Sequence, residues 1–143
     1  MTRRAMPVLA VLLLSGTFCM AGGEATDRGA MRLTVPDGPF RDAQVVMAKS
    51  MPPQFQVNLT RDMPTPGWKF EVDSVEIDGK SGRIVARVTE HAPGGVVSQV
   101  IKPTRLSLNL GVLSRGDYLL ELWVRRGAGS DYRRLQAIVL VAS

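Results

Sequence analysis

Apolar and polar residues alternate with a period of two along much of the chain. In residues 54–60 the odd-numbered positions are apolar and the even-numbered positions are polar, and similar alternation runs through residues 84–90 and 118–125. Because successive side chains of a β-strand point to opposite faces of a sheet, this period predicts strands with one buried face. Shorter apolar segments complete the predicted set of strands: residues 33–35, 44–48, 69–78, 96–101, 106–110 and 135–141. No segment after residue 30 has sustained helical periodicity, so the sequence predicts an all-β domain.

One predicted strand changes phase in its middle. Within residues 69–78 the apolar positions are even up to Val72 and odd from Val75, on the two sides of Ser74. An extra residue that shifts the phase by one is typical of a β-bulge, so we expect a bulge here. The run Asp-Gly-Lys-Ser-Gly at residues 78–82 has the composition of a turn and predicts a hairpin with the strand that follows.

The second half of the chain leaves one question of connectivity open. Pro103 lies between the apolar segments 96–101 and 106–110, and it either bends one strand or separates two full strands. The last segment, 135–141, is apolar at both odd and even positions, which is typical of a strand covered on both faces. About seven to nine short strands at roughly ten-residue spacing are typical of an antiparallel β-sandwich.

Tyr118 gives the predicted sandwich an immunoglobulin-like feature. It follows the turn residue Gly116 at the start of the penultimate strand, where a tyrosine corner occurs in immunoglobulin-like domains. In such a corner the hydroxyl ties the start of the strand to the preceding loop. The alternative is that Tyr118 is only the first inward-facing residue of its strand.

The N-terminal segment has the three-part pattern of a secretory signal peptide. Two arginines near the N-terminus are followed by an apolar run at residues 8–14 and by small residues at 21–23. The apolar run is shorter than the roughly 20 residues of a transmembrane helix, so no stable membrane span is expected. Phe18 stands before Cys19, where lipoprotein signals place a small residue, and this disfavours a lipid anchor. We predict a signal peptide over residues 1–23, a mobile tether over 24–32 and a single β-sandwich domain over 33–143.

The composition of the 143-residue chain limits the kinds of ligand and catalytic site that we expect. It contains 18 Lys and Arg, 13 Asp and Glu, one His and one Cys. Removal of the signal peptide takes away Arg3, Arg4 and Cys19, which leaves 16 basic and 13 acidic residues with their signs interspersed. Such a surface lacks the clustered basic face of a nucleic-acid-binding protein, and one His without Cys cannot form a zinc cluster. We therefore predict no metal, cofactor or nucleic-acid partner for an exported, periplasmic or extracellular protein.

The candidates for catalysis are few. His91 lies in a turn beside Glu90, and the sequence supplies no nucleophile together with an orienting partner for it. A small hydrolase built around His91 is the alternative to a solvated loop histidine. The acidic residues of segment 69–78 are predicted to form its solvated face: Glu71, Asp73, Glu76 and Asp78. One strand does not supply the carboxylate pair across a cleft that glycosidases use, so the chain is predicted not to be an enzyme.

A restrained loop carries the main candidate for binding. Its residues are Pro64, Thr65, Pro66, Gly67 and Trp68. The prolines limit the backbone, Gly67 permits a turn with positive φ, and Trp68 offers a large amphipathic surface near the tip. A loop that is already ordered loses little entropy on binding, so we expect it to contact a protein partner. The alternative is that Trp68 folds back and caps the end of the core.

Two further connections are predicted to lie beside this loop if Pro103 bends a single strand, because alternate connections then share one end of the sandwich. The loop itself belongs to connection 62–68, and the two further connections are residues 91–95 and 126–131. If Pro103 instead separates two strands, connection 126–131 moves to the opposite end of the sandwich. In the clustered arrangement Arg125 and Arg126 form a basic rim beside Trp68.

Parts of the sequence resemble the C-terminal domain of the bacterial protease-complex subunit PrcB. The similar segments are residues 64–76, 84–90, 93–95 and 97–100. The family's pattern is a Pro-Thr-Gly-Gly-Tyr loop, a hairpin that ends in a Glu-x-x-Pro-Gly type loop, and a Val-x-Gln-Val strand. This chain has Pro66 and Trp68 where the family prefers Gly and Tyr. The resemblance implies a non-catalytic exported domain that associates with a protease and stabilises it.

The same loop resembles the first binding loop of the chagasin-type cysteine-protease inhibitors, which are immunoglobulin-like and use three loops at one end. That loop reads Asn-Pro-Thr-Thr-Gly-aromatic, and Pro64, Thr65, Gly67 and Trp68 match it. The run Arg-Arg-Gly at residues 125–127 lies near the place of the family's Arg-Pro-Trp motif without matching it. This second resemblance implies a protease inhibitor.

These observations predict an exported, non-catalytic, immunoglobulin-like β-sandwich that binds a protein partner through the Pro-Thr-Pro-Gly-Trp loop, flanked by Arg125 and Arg126. The resemblances imply a protease as that partner, which the domain would stabilise, modulate or, in the chagasin-like alternative, inhibit. A structural, envelope-associated β-domain without a specific partner is the alternative from another functional class. The oligomeric state is not predicted.

Overall fold

Nine β-strands make up the part of the chain that the computed structural model describes, residues 26–27 and 31–142. In chain order the strands are β1 (Thr26–Asp27), β2 (Met31–Thr34), β3 (Phe40–Ala48), β4 (Gln54–Met63), β5 (Lys69–Asp78), β6 (Arg83–His91), β7 (Lys102–Gly111), β8 (Gly116–Arg126) and β9 (Arg133–Ala142). No helix in these residues is long and apolar enough to cross a membrane. The predicted signal peptide, residues 1–23, lies outside the described residues. The all-β prediction is confirmed for the part that is described.

The strands form two sheets that share one hydrophobic core. Six strands are hydrogen-bonded in the order β1-β2-β9-β8-β6-β5, and three in the order β3-β4-β7. One apolar cluster draws on both sheets, and it includes Val57, Leu59 and Leu108 of the smaller sheet and Ile84 and Leu120 of the larger. All five side chains are fully buried. The alternation that predicts the strands therefore places one face of each sheet in a common interior, as in a β-sandwich.

Pro103 neither bends a long strand nor separates two strands. β7 begins at Lys102 and continues through Pro103, whereas residues 96–101 form no strand. β7 is an edge strand, and an edge tolerates a residue without an N–H group. Residues 92–101 leave the larger sheet and enter the smaller one, so they have no neighbouring strand to pair with. The predicted strand at 96–101 is therefore wrong, and a single strand carries the chain back along the smaller sheet.

One strand pair differs from the antiparallel prediction. β6 and β8 are parallel neighbours, paired from Arg83 with Leu119 to Glu90 with Arg126. The chain passes from β6 into the other sheet as β7 and returns as β8, so β6 and β8 run in the same direction. The remaining strand pairs among the described residues are antiparallel. The prediction of a purely antiparallel sandwich is therefore wrong at this pair.

The predicted bulge occurs in β5. Val72 pairs with Val88 and Ser74 pairs with Arg87, which leaves Asp73 without a partner across the hairpin. The bulge is therefore confirmed, and its extra residue is Asp73.

The last strand is covered on one face only. Gln136, Ile138 and Leu140 of β9 are buried, whereas Val139, on the opposite face, is 40% exposed. β9 lies between β2 and β8, so both of its edges are hydrogen-bonded. The expectation of a strand covered on both faces is wrong. Its outward-facing apolar residues suit a central strand through their β propensity, without burial.

The domain begins earlier than residue 33. Met31 is 1% exposed in the core and pairs with Ala142 at the end of β9. The two-residue strand β1 in turn pairs with β2. The last part of the predicted tether, residues 24–32, therefore belongs to the larger sheet.

Tyr118 forms the predicted corner. Its side chain is 5% exposed in the core, and its hydroxyl donates a hydrogen bond of 2.9 Å to the backbone carbonyl oxygen of Ser114. Ser114 lies in the connection from β7 to β8, which crosses between the sheets. The bond therefore fixes the crossing at the end of the molecule opposite the Pro-Thr-Pro-Gly-Trp loop.

The Tyr118→Phe variant keeps the buried ring and removes the donor to Ser114. We expect its free energy of unfolding to fall by about 1 kcal/mol, the usual net contribution of such a bond. Urea denaturation of both chains measures the difference. Ser114→Ala, which keeps the carbonyl acceptor, is the matched control and should change stability little. Equal stability of Tyr118→Phe and the wild type would contradict the corner.

Candidate functional site

Two connections between the sheets lie side by side at one end of the molecule. β4 pairs with β7 through Met63 and Lys102, and β5 pairs with β6 through Lys69 and His91. The connection from β4 to β5 and the connection from β6 to β7 therefore start and finish at the same two places. They also touch, because a Cβ built on Gly67 would lie 2.9 Å from the Cβ of Pro93.

The third predicted connection, between β8 and β9, lies at the same end of the molecule. The N–H of Gly127, directly after β8, donates a hydrogen bond of 3.0 Å to the carbonyl oxygen of Glu90 in β6. The guanidinium carbon of Arg126 lies 6.0 Å from the centre of the Trp68 ring. The predicted clustering of the three connections is therefore confirmed. We call this surface the loop end and define it as residues 64–68, 92–101 and 127–132.

Trp68 is held in one orientation on this surface. Its indole Nε1–H donates a hydrogen bond of 3.0 Å to the hydroxyl oxygen of Thr65, which is 8% exposed. Gly67 between them has φ of +88°, in the left-handed region that glycine adopts without strain. Pro64 is exposed and Pro66 half-buried. The loop therefore turns on glycine and uses Thr65 to position the indole.

The end of the core beneath this loop is occupied by phenylalanine. Phe70 packs against the buried cluster, and its ring centre lies 5.7 Å from that of Phe40. Trp68, two residues earlier, is half-buried and is not among the described side chains packed on that cluster. This arrangement favours a surface position for Trp68 over a role as the cap of the core.

The two predicted rim arginines differ in their surroundings. Arg126 has a side chain that is 76% exposed. Arg125 is only 23% exposed: its Nε donates to the Thr89 hydroxyl at 2.8 Å, and its Nη1 donates to the carbonyl oxygen of Ala128 at 3.1 Å. Its guanidinium also lies 4.7 Å from the ring centre of Tyr132. Arg125 therefore holds the β8–β9 turn, and Arg126 is the more available cation.

Asp73, on the exposed face of β5, belongs to this network. Its Oδ2 accepts hydrogen bonds from the hydroxyls of Thr89 and Tyr132, and it lies 3.8 Å from Nε of Arg125. The bond from Thr89, followed by the bond from Tyr132, holds the pKa of Asp73 below its usual value. Asp73 is therefore exposed as predicted, with a side chain that is 23% exposed, but its hydrogen bonds to β6 and to Tyr132 are not visible in the sequence pattern.

The other acidic residues of β5 are exposed as predicted. Glu71 and Glu76 have side chains that are 66% and 64% exposed, and each faces a single basic partner. Asp78 stays at the hairpin turn, where its carboxylate accepts from the Lys80 N–H at 3.0 Å and from the Ser81 hydroxyl at 2.8 Å. These three carboxylates therefore lie along one strand and at its hairpin turn.

A charge pair that sequence reasoning misses lies below the loop end. The Glu90 side chain is 2% exposed and forms an ion pair with Arg61 of the smaller sheet, which is 19% exposed. Nε of Arg126 lies 3.7 Å from the other carboxylate oxygen of Glu90. The sequence carries a signal for this pair: Glu90 shares the inward parity of Ile84 and Val88, and Arg61 continues the inward parity of its own strand.

A cavity of about 590 Å³ opens beside this pair. We call it the arginine pocket. Its lining includes Arg61, Glu90, Arg125, Arg126, Arg133 and Leu135, together with the turn 129–131. No sequence motif marks it, because its residues come from four strands that only the sheet register brings together.

Residues 92–101 add apolar surface to the loop end. Val96 is fully exposed, and Val100 and Ile101 are 57% and 71% exposed. The sequence pattern assigns these residues to a strand with a buried face. Their apolar side chains instead stand in solvent, in the connection whose Pro93 approaches Gly67.

His91 lies at the edge of this surface and is hydrogen-bonded to Glu71. Its Nε2 is 2.7 Å from Oε2 of Glu71, and the two side chains are 45% and 66% exposed. Glu71 could orient the ring, but no hydroxyl among the described residues is hydrogen-bonded to it. Within residues 31–142 no group of three or more His, Cys, Asp or Glu side chains has the arrangement of a metal site.

In comparisons with known proteins, the chain matches no protein-family model, no curated protein and no solved structure. The assignment of the site therefore depends on the geometry described above.

The lowered pKa of Asp73 gives a testable pH dependence. A carboxylate with a pKa that is lower in the folded than in the unfolded chain stabilises the fold above the unfolded value of about 3.9, and this contribution is lost as the pH falls through the folded value. We expect Asp73→Asn to be less stable than the wild type near pH 7, with a difference that shrinks below about pH 4.

Urea denaturation of the two chains across this pH range measures the difference. Asp37→Asn is the matched control, because Asp37 is exposed and forms no ion pair within the described part of the chain. A difference between Asp73→Asn and the wild type that stayed constant down to low pH would contradict the network.

Proposed function

We propose that the chain is a non-catalytic recognition domain that is exported and binds a protein partner through the loop end. The observation that carries the proposal is the state of Trp68. Its ring is half-buried, outside the core cluster, and hydrogen-bonded to Thr65. An aromatic ring held in place beside exposed apolar and cationic side chains is the usual anchor of a protein interface.

The surroundings of Trp68 fit such an anchor. The exposed Val96, Val100 and Ile101 enlarge the apolar surface, and Arg126 adds a cation near the ring. The short loop is restrained by Pro64 and Pro66 at its start. Because these groups are already ordered, the interface needs little of the ordering entropy that flexible loops lose on binding.

The immunoglobulin-like character of the fold is part of the proposal. Two sheets around one core, a tyrosine corner at Tyr118 and three connections gathered at one end support it. The parallel pair of β6 with β8 is a departure from a fully antiparallel sandwich. A recognition surface made of inter-strand loops on a rigid scaffold is compatible with either arrangement.

The class of partner that we propose is an exported protease. The Pro-Thr-x-Gly-aromatic loop and the neighbouring segments resemble two groups of domains that act on proteases. The convergence of three loops at one end supports a contact of this kind. Stabilisation of the protease, as in the first resemblance, and its inhibition, as in the second, are the two outcomes that an activity assay of the complex distinguishes.

Capture from the exported fraction of the producing cells tests the proposal. We immobilise the wild-type chain, Trp68→Ala and Trp123→Ala, and identify the bound proteins by mass spectrometry. Trp123 is the matched control because it is also half-buried but lies away from the loop end, with its Nε1 3.3 Å from Glu121. We expect one partner on the wild type and on Trp123→Ala, and its loss on Trp68→Ala.

The stability of the variants separates an anchor from a cap. Truncation of an interface anchor should leave the free energy of unfolding nearly unchanged, whereas removal of a core aromatic costs about 3 kcal/mol or more. Equal capture by Trp68→Ala and the wild type would contradict the proposal. A loss of about 3 kcal/mol in Trp68→Ala without any partner on the wild type would instead favour a structural domain.

A further inference from the structure

We infer that the arginine pocket binds a carboxylate group of an extended polypeptide, either an acidic side chain or a C-terminal carboxylate. The inference rests on the proposed function, since it names the chemistry of the partner segment that reaches the loop end. It depends on four observations: the pairing of the arginines, the charge of the lining, the shape of the cavity and its distance from Trp68.

Two of the four arginines are already engaged. Arg61 forms an ion pair with the buried Glu90. Arg125 donates to the Thr89 hydroxyl and to the carbonyl oxygen of Ala128. Nε of Arg125 also lies 3.8 Å from Oδ2 of Asp73, so both of these guanidinium groups already have partners within the domain.

The other two arginines retain donors for a ligand. Nε of Arg126 is 3.7 Å from Glu90, beyond the distance of a hydrogen bond, and the Arg126 side chain is 76% exposed. Arg133 is exposed and forms no ion pair among the described residues. Guanidinium groups in such a position bind carboxylates through paired, charge-assisted hydrogen bonds.

The lining as a whole is positively charged. Its acidic members are Glu90, which is buried and shared between two arginines, and Asp131, on the exposed turn. The lining includes four arginines and these two carboxylates, and Asp73 outside the lining pairs with one of the arginines, Arg125. The remaining excess of positive charge attracts a further carboxylate into the pocket. The two resident carboxylates oppose a ligand of high negative charge, which favours a single carboxylate over a polyphosphate chain.

The shape fits an amino-acid side chain with its flanking backbone. The cavity volume of about 590 Å³ is within the range of roughly 300–1,000 Å³ that small-ligand pockets have. Val124 and Leu135 supply apolar wall that the methylene groups of a side chain can contact. The guanidinium carbon of Arg126 is 6.0 Å from the Trp68 ring centre, so one extended segment can contact both.

Titration of the purified, isotopically labelled protein with short peptides tests the inference. The probes are acetyl-Ala-Glu-Ala-amide, acetyl-Ala-Ala-Ala with a free C-terminus, the neutral acetyl-Ala-Gln-Ala-amide, and inorganic phosphate. Chemical shifts of the backbone amides at 127–131 and of the arginine Nε–H groups report binding. We expect saturable shifts with at least one carboxylate peptide, which identifies the source of the carboxylate, and none with the neutral peptide.

Arginine variants make the assignment specific. Arg126→Gln and Arg133→Gln should each weaken the binding of the carboxylate peptide about tenfold or more, the loss expected for a charge-assisted hydrogen bond. Arg115→Gln, on the exposed β7–β8 connection, is the matched control and should bind like the wild type. The spectra themselves show whether each variant is folded.

Three results would overturn the inference. These are equal binding of the neutral peptide, unchanged binding in Arg133→Gln, and binding of phosphate that is tighter than that of either carboxylate peptide. Failure here is distinguishable from failure of the proposed function. If capture of the partner depends on Trp68 but not on Arg133, only the pocket assignment is wrong. If capture does not depend on Trp68 either, the proposed function is wrong as well.

Discussion

The two sheets are tied together below the loop end by one charge pair, Arg61 of β4 with Glu90 of β6. The Glu90 side chain is 2% exposed and that of Arg61 is 19% exposed, so both charges have largely left water. A buried pair of this kind is tolerated because each charge is neutralised by the other. Loss of one partner would leave an unpaired buried charge. Arg61 also lies over the Phe40 ring at 5.6 Å, and Arg126 of β8 approaches Glu90. The pair therefore fixes the strand ends from which the three connections of the loop end begin.

The path of the chain explains why these connections meet. The chain changes sheet four times, between β2 and β3, between β4 and β5, between β6 and β7, and between β7 and β8. The β4–β5 and β6–β7 crossings lie at the same end. The return through β7 makes β6 and β8 parallel, which brings the β8–β9 turn to that end as well. The arrangement supplies a rigid base, an oriented indole, exposed apolar side chains and free guanidinium donors. These are the groups of a binding surface, and this is why we propose recognition as the function.

Much of the fold is predictable from the sequence because a period of two reports directly which face of a strand is buried. The same rule finds the bulge in β5, where the phase shifts around Asp73. The rule fails for residues 96–101, because a run of apolar residues looks the same in the sequence whether it forms a paired strand or an exposed connection between the sheets. Of the site, the Trp68 loop and its neighbours are predictable from composition and topology. The partners of Glu90 and Asp73 are not, because they lie on other strands and depend on a register that no local pattern encodes.

The most direct test of the central claim is site-specific photo-crosslinking in the producing cells. A benzoyl-phenylalanine replaces the fully exposed Val96 at the loop end in one chain and Ser107, on the exposed side of β7, in another, so that Trp68 stays in place. If the loop end is the recognition surface, irradiation links position 96 to one exported protein and leaves position 107 unlinked. The absence of a linked protein at position 96, or the same products from both positions, would contradict it.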